Sequence, residues 1–343
     1  MSNNSTSEKH KKVVKEQLLL LLEKGCNVEV DKNRITELPE WFDEELFLRG
    51  QKCISANFYT TFLAGFIGLV SVLSIPTILE VLVHTNKSSE PYTAYRRYSD
   101  TIRHVLGWYK YDLKDMESKS QKALSIVSGL HCAAAKSSSK FGLRITQKDM
   151  ALTQFGFMGL ILLKKKELAI VCTDEDEMGI VHMWRTLGHL LGIHEEYNLC
   201  RGSLEEVRSL CAAVMTDVYV PCLKNPPSQF NHMVGALLDG MKPLSFLIDL
   251  EAFMKFISRI YGLPEQRLTN SHSRWIFNIQ MFISGVLLTK WWLAWLFRPI
   301  MNYQLRISVW LNDNFPLAAA LKFGTKVFFK VPYLTSEAKN HFN

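Results

Sequence analysis

No two of the seven cysteines stand in a C-x-x-C spacing; they are scattered at positions 26, 53, 132, 172, 200, 211 and 222. That pattern excludes a disulfide scaffold and a cysteine-ligated zinc or iron–sulfur centre. The chain also lacks G-x-x-x-x-G-K-[ST], G-x-G-x-x-G after a strand pattern, G-x-S-x-G and H-E-x-x-H. Those absences remove P-loop, dinucleotide-binding, α/β-hydrolase and zincin chemistry. Paired Glu-x-x-His motifs are missing too, which excludes a di-iron bundle. Alternating strand patterns are almost absent and no internal repeat is present. The first residues are polar and charged, without the apolar run of a secretory signal. An intracellular, reducing setting is therefore expected, with the endoplasmic reticulum or another membrane as a candidate location.

Apolar and aromatic residues are what the chain has in quantity. Of 343 residues 48% are hydrophobic, with 8 Trp, 20 Phe and 11 Tyr. With 18 glycines and 11 prolines, this is the composition of a folded chain with a full core, and a mostly disordered one is ruled out. Forty basic residues face 33 acidic ones, a net charge of +7. Lys9, Lys11, Lys12, Lys15 and the run Lys164 to Lys166 carry part of the excess. No basic stripe is interleaved with aromatics along one face, so nucleic acid is not an expected partner. The excess reads as a solvated surface or as attraction to an anionic membrane leaflet.

The periodicity is helical nearly throughout, and the fold class is all-α. After a polar tail over residues 1–12, helices are expected at Gln17–Lys24, Pro39–Lys52, Phe58–Val83, Tyr95–Leu113 and Ser118–Lys136. Thr146 and Asp149 make a capping box for a helix to Leu163, and Ser203 and Glu206 another for a helix to Val220. An acidic first turn opens Glu175–Leu191. Further helices are expected at Gln229–Leu238, Leu244–Tyr261, Trp275–Phe297 and Met301–Leu311. Glu167–Cys172 and Lys326–Val331 are the only candidate strands. This divides the chain into an N-terminal tail and short helix (1–38), a catalytic-size helical domain (39–265) and apolar C-terminal helices with a tail (266–343).

Two segments raise the membrane question. Phe58–Val83 is apolar over 26 residues, about 39 Å as one helix, enough for a bilayer core of roughly 30 Å. Glu80 and Pro76 sit inside it, and a buried central helix has the same character. Ile276–Phe297 holds Trp291, Trp292 and Trp295 beside Lys290, a grouping that suits a membrane interface better than a bilayer centre. Peripheral attachment is expected there, and a buried core helix is the alternative to a span at Phe58–Val83.

Among polar residues, His182 and His189 lie seven apart on one helix face with no third ligand at helical spacing, which suits core histidines rather than a metal. Arg97 and Thr101 are four apart on one helix face. His131 follows among Gly129, Ala133, Ala134 and Ala135, small residues that let a flat group approach a helix. An imidazole and a nearby cation are what haem requires; a satisfied core histidine is the alternative. Phe62, Phe66, Leu69 and Leu73 recur at helical spacing and are candidates for an apolar channel or for plain core.

Several segments in order resemble one family. Arg97-Tyr-Ser-Asp-Thr101, His131 at its separation from Arg97, the run Ile145 to Phe157, and Trp184 to Ile193 with Gly188 and Gly192 are similar to the latex-clearing rubber oxygenases and the mycophenolic-acid-pathway oxygenases over roughly residues 55–260. The resemblance implies one multi-helical domain around a haem pocket. It implies haem b with His131 as axial ligand to the iron, Arg97 and Thr101 holding the pocket, and Arg97 pairing with a propionate. It further implies dioxygen and an apolar, isoprenoid-like substrate cleaved at a carbon–carbon double bond, with Glu80 as the candidate carboxylate base. The alternative for Glu80 is a helix-end residue reaching solvent. Asp100 stands where some rubber-cleaving members have a lysine near the distal iron face, so an acid replaces a cation. That departure favours a second reading, a haem-binding or sensor protein without oxygenase chemistry. A third is a membrane-associated helical protein without haem.

Overall fold

The computed structural model describes residues 2–30, 35 and 37–328 of the chain. Helix α1 (Ser2–Leu19) runs into a π turn (Leu20–Lys24) that stops at Gly25. The expected polar tail is therefore helical from Ser2 onward. The reason is tertiary: Val14, Leu18 and Leu21 are buried, so this helix is paid for by packing rather than by its polar composition. Helices α2 (Glu44–Ala56) and α3 (Phe58–Val72) follow, with the Asp43 carboxylate accepting from the Leu46 amide 3.0 Å away to cap α2.

The single helix expected over Phe58–Val83 is two. α3 ends at Val72, and α4 (Pro76–Thr85) begins with Pro76 at its first turn. Proline has no amide hydrogen to continue the ladder and disfavours helix in the residue before it; Ile75 is accordingly extended. At 15 residues, α3 is about 22 Å long, short of a bilayer core. Ile67 and Val70 on it are completely buried, each contributing roughly 1.5–3 kcal/mol. Among the described residues no single helix is long and apolar enough to cross a membrane; only α2 and α3 together pass by length and composition, and they are bent by 96°.

Next come α5 (Pro91–Lys110), α6 (Lys119–Ser139), α7 (Gln147–Leu163) and α8 (Asp174–Leu190). The Thr146–Asp149 capping box opens α7 as expected, and Thr173 with Asp176 caps α8 in the same way. After the Ser203–Glu206 box, α9 (Leu204–Val214) passes through a π turn (Met215–Tyr219) into α10 (Val220–Lys224). Then α11 (Phe230–Met241) and α12 (Leu250–Tyr261) lead to α13 (Ser271–Phe282), α14 (Trp291–Asn314) and α15 (Leu317–Phe323). The helix expected over Trp275–Phe297 is thus interrupted by a π turn at Ile283–Leu287, and its last part joins the expected Met301–Leu311 helix in α14. Among the described residues there is no strand, only an isolated bridge between Glu29 and Thr146. Glu167–Cys172 is turn and loop, Thr325–Val327 is a short 3-10 helix, and residues 329–331 lie outside the described residues.

Two glycine pairs set the core crossings. A methyl group on Gly68 of α3 would collide with the Gly156 carbonyl of α7, and one on Gly179 of α8 would lie 2.6 Å from the Gly50 amide of α2. The backbones touch there, so α3 packs on α7 and α2 on α8 at closer range than any side chain permits. Phe155 of α7 stacks on Tyr219 at 4.7 Å, and the Tyr219 hydroxyl donates to the Leu152 carbonyl at 2.7 Å. Between α2 and α3, Asn57 gathers three segments. Its amide nitrogen donates to Val171 at 2.8 Å, while its oxygen accepts from the Val171 amide at 3.0 Å and from Arg298 of α14 at 2.9 Å.

Candidate functional site

Helix α5 is amphipathic: Tyr95, Tyr98, Val105 and Trp108 are buried, while Arg96 and Lys110 reach solvent. Arg97 and Thr101 are half-buried, one turn apart, and the Thr101 hydroxyl donates to the Arg97 carbonyl at 3.0 Å. Thr101, Ile102, Val105, Leu106 and Tyr109 form one wall of a narrow apolar cavity of about 50 Å³. Phe58, Phe62, Phe66 and Leu69 of α3 form the opposite wall. Three of the four residues anticipated for an apolar channel therefore do line one; the fourth, Leu73, is fully buried core. A second apolar space of about 80 Å³ lies across Phe62 and Phe66, between α3, α12, α13 and α14. Phe62 and Phe66 border both spaces, with their rings stacked 6.5 Å apart.

His131 lies on α6, which packs against α5. Its Nδ1 is buried and has no hydrogen-bond partner. Burial, reinforced by the positive charge of Arg97, pushes its pKa down to about 4, so the imidazole is neutral at physiological pH. The Arg97 guanidinium makes no ion pair among the described residues. A neutral imidazole with an unpartnered ring nitrogen, a cation left available and small neighbours on α6 are together a donor set that fits haem. His131 does not line either cavity, whereas Thr101 lines the first. No group of three or more His, Cys, Asp or Glu among the described residues could hold a bare metal ion.

Two other expected site residues are placed elsewhere. Asp100 accepts from Arg103 at 2.7 Å, and Arg103 also donates to Asp313 of α14 at 2.7 Å. Burial raises the pKa of both carboxylates against the pull of Arg103. Asp100 is thus engaged in a charged tie between α5 and α14 and does not line the cavity. Glu80 is exposed on α4. The break before Pro76 resets the helix register, so Glu80 does not turn inward as a continuous helix would have turned it. His182 and His189 pack around Trp41, and His182 Nε2 accepts from the Asp43 amide at 2.9 Å. These are structural histidines.

The recurring Gln and Gly positions of α7 and α8 also acquire roles. Gln147 donates to the Gly192 carbonyl and accepts from the His194 amide, both at 2.9 Å. Gln154 donates to the Trp184 carbonyl at 2.8 Å and to Asn198 at 3.0 Å. A methyl on Gly188 would lie 2.5 Å from the Gln154 amide nitrogen. These buried bonds fix the turn after α8 against α7, which in turn bears α3 and its cavity wall.

The family described as "ER-bound oxygenase mpaB/B'/Rubber oxygenase, catalytic domain" matches residues 54–315. The chain belongs to this family. The match makes it an mpaB/rubber-oxygenase domain and supports oxygenase activity. It also runs past residue 265, so α13 and α14 lie within the matched range. Among solved structures, latex clearing protein LCP in the closed state is similar, with 16% identity and a TM-score of 0.57. The likeness covers 80% of this chain and 76% of that one; at this identity it shows the fold, an all-α rubber-oxygenase-like domain. No curated protein matches this mpaB/rubber-oxygenase chain.

Proposed function

We propose that this domain is a haem b-dependent oxygenase that uses dioxygen to cleave a carbon–carbon double bond in an apolar, isoprenoid-like small molecule. The observation that carries the reading is the buried, unpartnered Nδ1 of His131 on an imidazole held neutral beside Arg97. His131 would be the axial ligand, and Arg97 the partner of a propionate. Haem held by these residues would supply an iron for dioxygen chemistry. The protein's own contribution is to keep the imidazole unprotonated, to neutralise an anionic group with Arg97, and to exclude water. The wall from Phe58 to Leu69, facing Ile102 to Tyr109, is almost wholly apolar, which suits a hydrocarbon chain and rejects a charged one. Thr61, Thr101 and Tyr109 bring hydroxyls to that lining, and those of Thr61 and Thr101 are occupied in bonding the Asn57 and Arg97 carbonyls.

The absorption spectrum of the purified protein, before and after His131→Ala, tests the assignment. The expected result is a Soret band in the wild type and its loss in a variant with unchanged helical content. A variant that retained full haem and an unaltered spectrum would sink the ligand assignment, and a wild type unable to take up added haem would sink the function. One observation favours a second reading, haem binding without oxygenase chemistry: the acid at position 100 is committed to Arg103. Oxygen consumption with prenyl compounds separates the two.

A further inference from the structure

The outer face of the last helices has a character unlike the rest of the surface. On α14 the exposed side chains include Trp292, Leu296, Ile300, Tyr303, Ile307 and Trp310, recurring every three or four residues along one side of the helix. Trp295 is 81% exposed, and Trp291 at the start of the helix is 83% exposed. Trp275 on α13 and Leu321 on α15 are exposed as well. The opposite side of α14 is held to the protein. Leu305 and Val309 are buried, Asn302 donates to the Ala56 carbonyl at 2.8 Å, and Arg306 donates to Ser55. An apolar stripe about 36 Å long, the length of a 24-residue helix, is thus fixed flat against the body of the domain with its aromatic side bare. That extent exceeds the isolated apolar residues a monomer ordinarily exposes.

Charge says what covers it. Residues 267–328 contain seven Lys or Arg and a single acid, Asp313. The Asp313 carboxylate is turned inward and bound to Arg103. Lys290, directly before the paired tryptophans, is exposed. Tryptophans on a helix anchored to the domain, with Arg267, Arg274 and Lys290 exposed on the same stretch of chain, have the chemistry of a helix lying at the headgroup level of an anionic bilayer. The inner faces of the same helices, through Ile276, Gln280 and Leu305, line the second apolar cavity. A hydrophobic compound dissolved in that leaflet would meet these helices first, and behind them a space that is apolar in turn.

We propose that the outer face of α13, α14 and α15 docks in the surface of an anionic lipid bilayer, in the membrane plane. The docking stands independently of haem; only the delivery of substrate from the leaflet rests on the oxygenase reading. The test uses full-length protein with vesicles of phosphatidylcholine alone and of phosphatidylcholine mixed with phosphatidylserine. Binding is followed by co-sedimentation and by the blue shift of tryptophan emission. The expected result is binding to the mixed vesicles, weakened by salt, and weakened by about tenfold or more in the triple variant Trp291→Ser, Trp292→Ser, Trp295→Ser. Lys290→Gln should weaken it by about fivefold. Because these side chains are exposed, the variants should keep the wild-type circular dichroism and melting temperature. Those readings and haem uptake distinguish failure of this proposal from failure of the functional one. Equal binding to both vesicle types, no binding to either, or unaltered binding by the folded triple variant would overturn it. So would a wild-type dimer that the triple variant converts to monomer, since the face would then be an interface between copies.

Discussion

Acidification should destabilise this protein well above the pH at which its carboxylates titrate, and the structure sets the size of the effect. His104 is 4% exposed, and burial together with the charge of Arg103 pushes its pKa down to about 4. His131 is pushed to about 4 by burial and Arg97. In the unfolded chain both titrate near 6.5. The unfolded state therefore binds more protons between pH 6.5 and 4, so stability is complete above 6.5 and falls as pH drops through this window. For one group moving from 6.5 to about 4, the loss at pH 5 relative to pH 8 is ~2 kcal/mol. With haem bound His131 would be engaged as the proposed ligand, so the ~2 kcal/mol is assigned to His104 alone. That is a substantial part of the ~5–15 kcal/mol typical of a domain. Asp100 and Asp313, raised by burial, act in the opposite sense, so the comparison must be made against a variant. Urea midpoints at pH 8, 6 and 5 for wild type and His104→Gln provide it. The wild type should lose stability toward pH 5, and His104→Gln should show a shallower dependence by ~2 kcal/mol. A wild-type midpoint unchanged between pH 8 and 5, or a variant with the wild-type slope, would refute the reasoning.

Arg97→Ala should leave the fold intact and weaken haem affinity by ~1.5–3 kcal/mol, the usual worth of a charge-assisted hydrogen bond; a haem titration with an unchanged midpoint would place Arg97 outside the site. Arg103→Met strands two half-buried carboxylates and, discounted for solvent screening, should cost ~1–3 kcal/mol in denaturant unfolding, with Asp313→Asn in the same background recovering part of the loss. Gly68→Ala forces α3 off the Gly156 backbone and should cost ~1–3 kcal/mol, whereas Gly65→Ala, with open space around it, should be neutral or slightly stabilising by melting temperature.

Local signals carried the helices a long way. The Thr146–Asp149 and Ser203–Glu206 boxes marked true starts because a cap is decided by three or four adjacent residues. Pro76 was visible too, but its weight against 26 apolar neighbours could not be judged without knowing that α3 and α4 pack on different partners, α7 and α6. The candidate site divided along the same line. Arg97 and Thr101 share a face by periodicity alone, and the aromatic wall of α3 follows from its spacing. Asp100 depended on Asp313, more than two hundred residues away, and no local pattern announces such a partner. Glu80 depended on a helix register that the Pro76 break had already reset. The buried bonds of Gln147 and Gln154 join α7 to the turn after α8, a contact set by tertiary packing, which leaves no periodic trace.

The return of α14 onto the loop before α3 has a consequence for how the chain is made. Bonds from Asn57 to Arg298, from Tyr59 to Asn302 and from Ser55 to Arg306 join residues 241 to 251 positions apart. At roughly 5–20 residues per second, a ribosome emits Asn302 some 10–50 s after Tyr59. Throughout that interval the most apolar helix of the protein has been synthesised and one side of it has nothing to pack against. Contacts this distant in sequence also make closure slow once the chain is complete. The nascent protein must therefore pass its early life with Tyr59 and the start of α3 uncovered on that side, and a chaperone or a lipid surface present during synthesis would act on yield before it acted on activity.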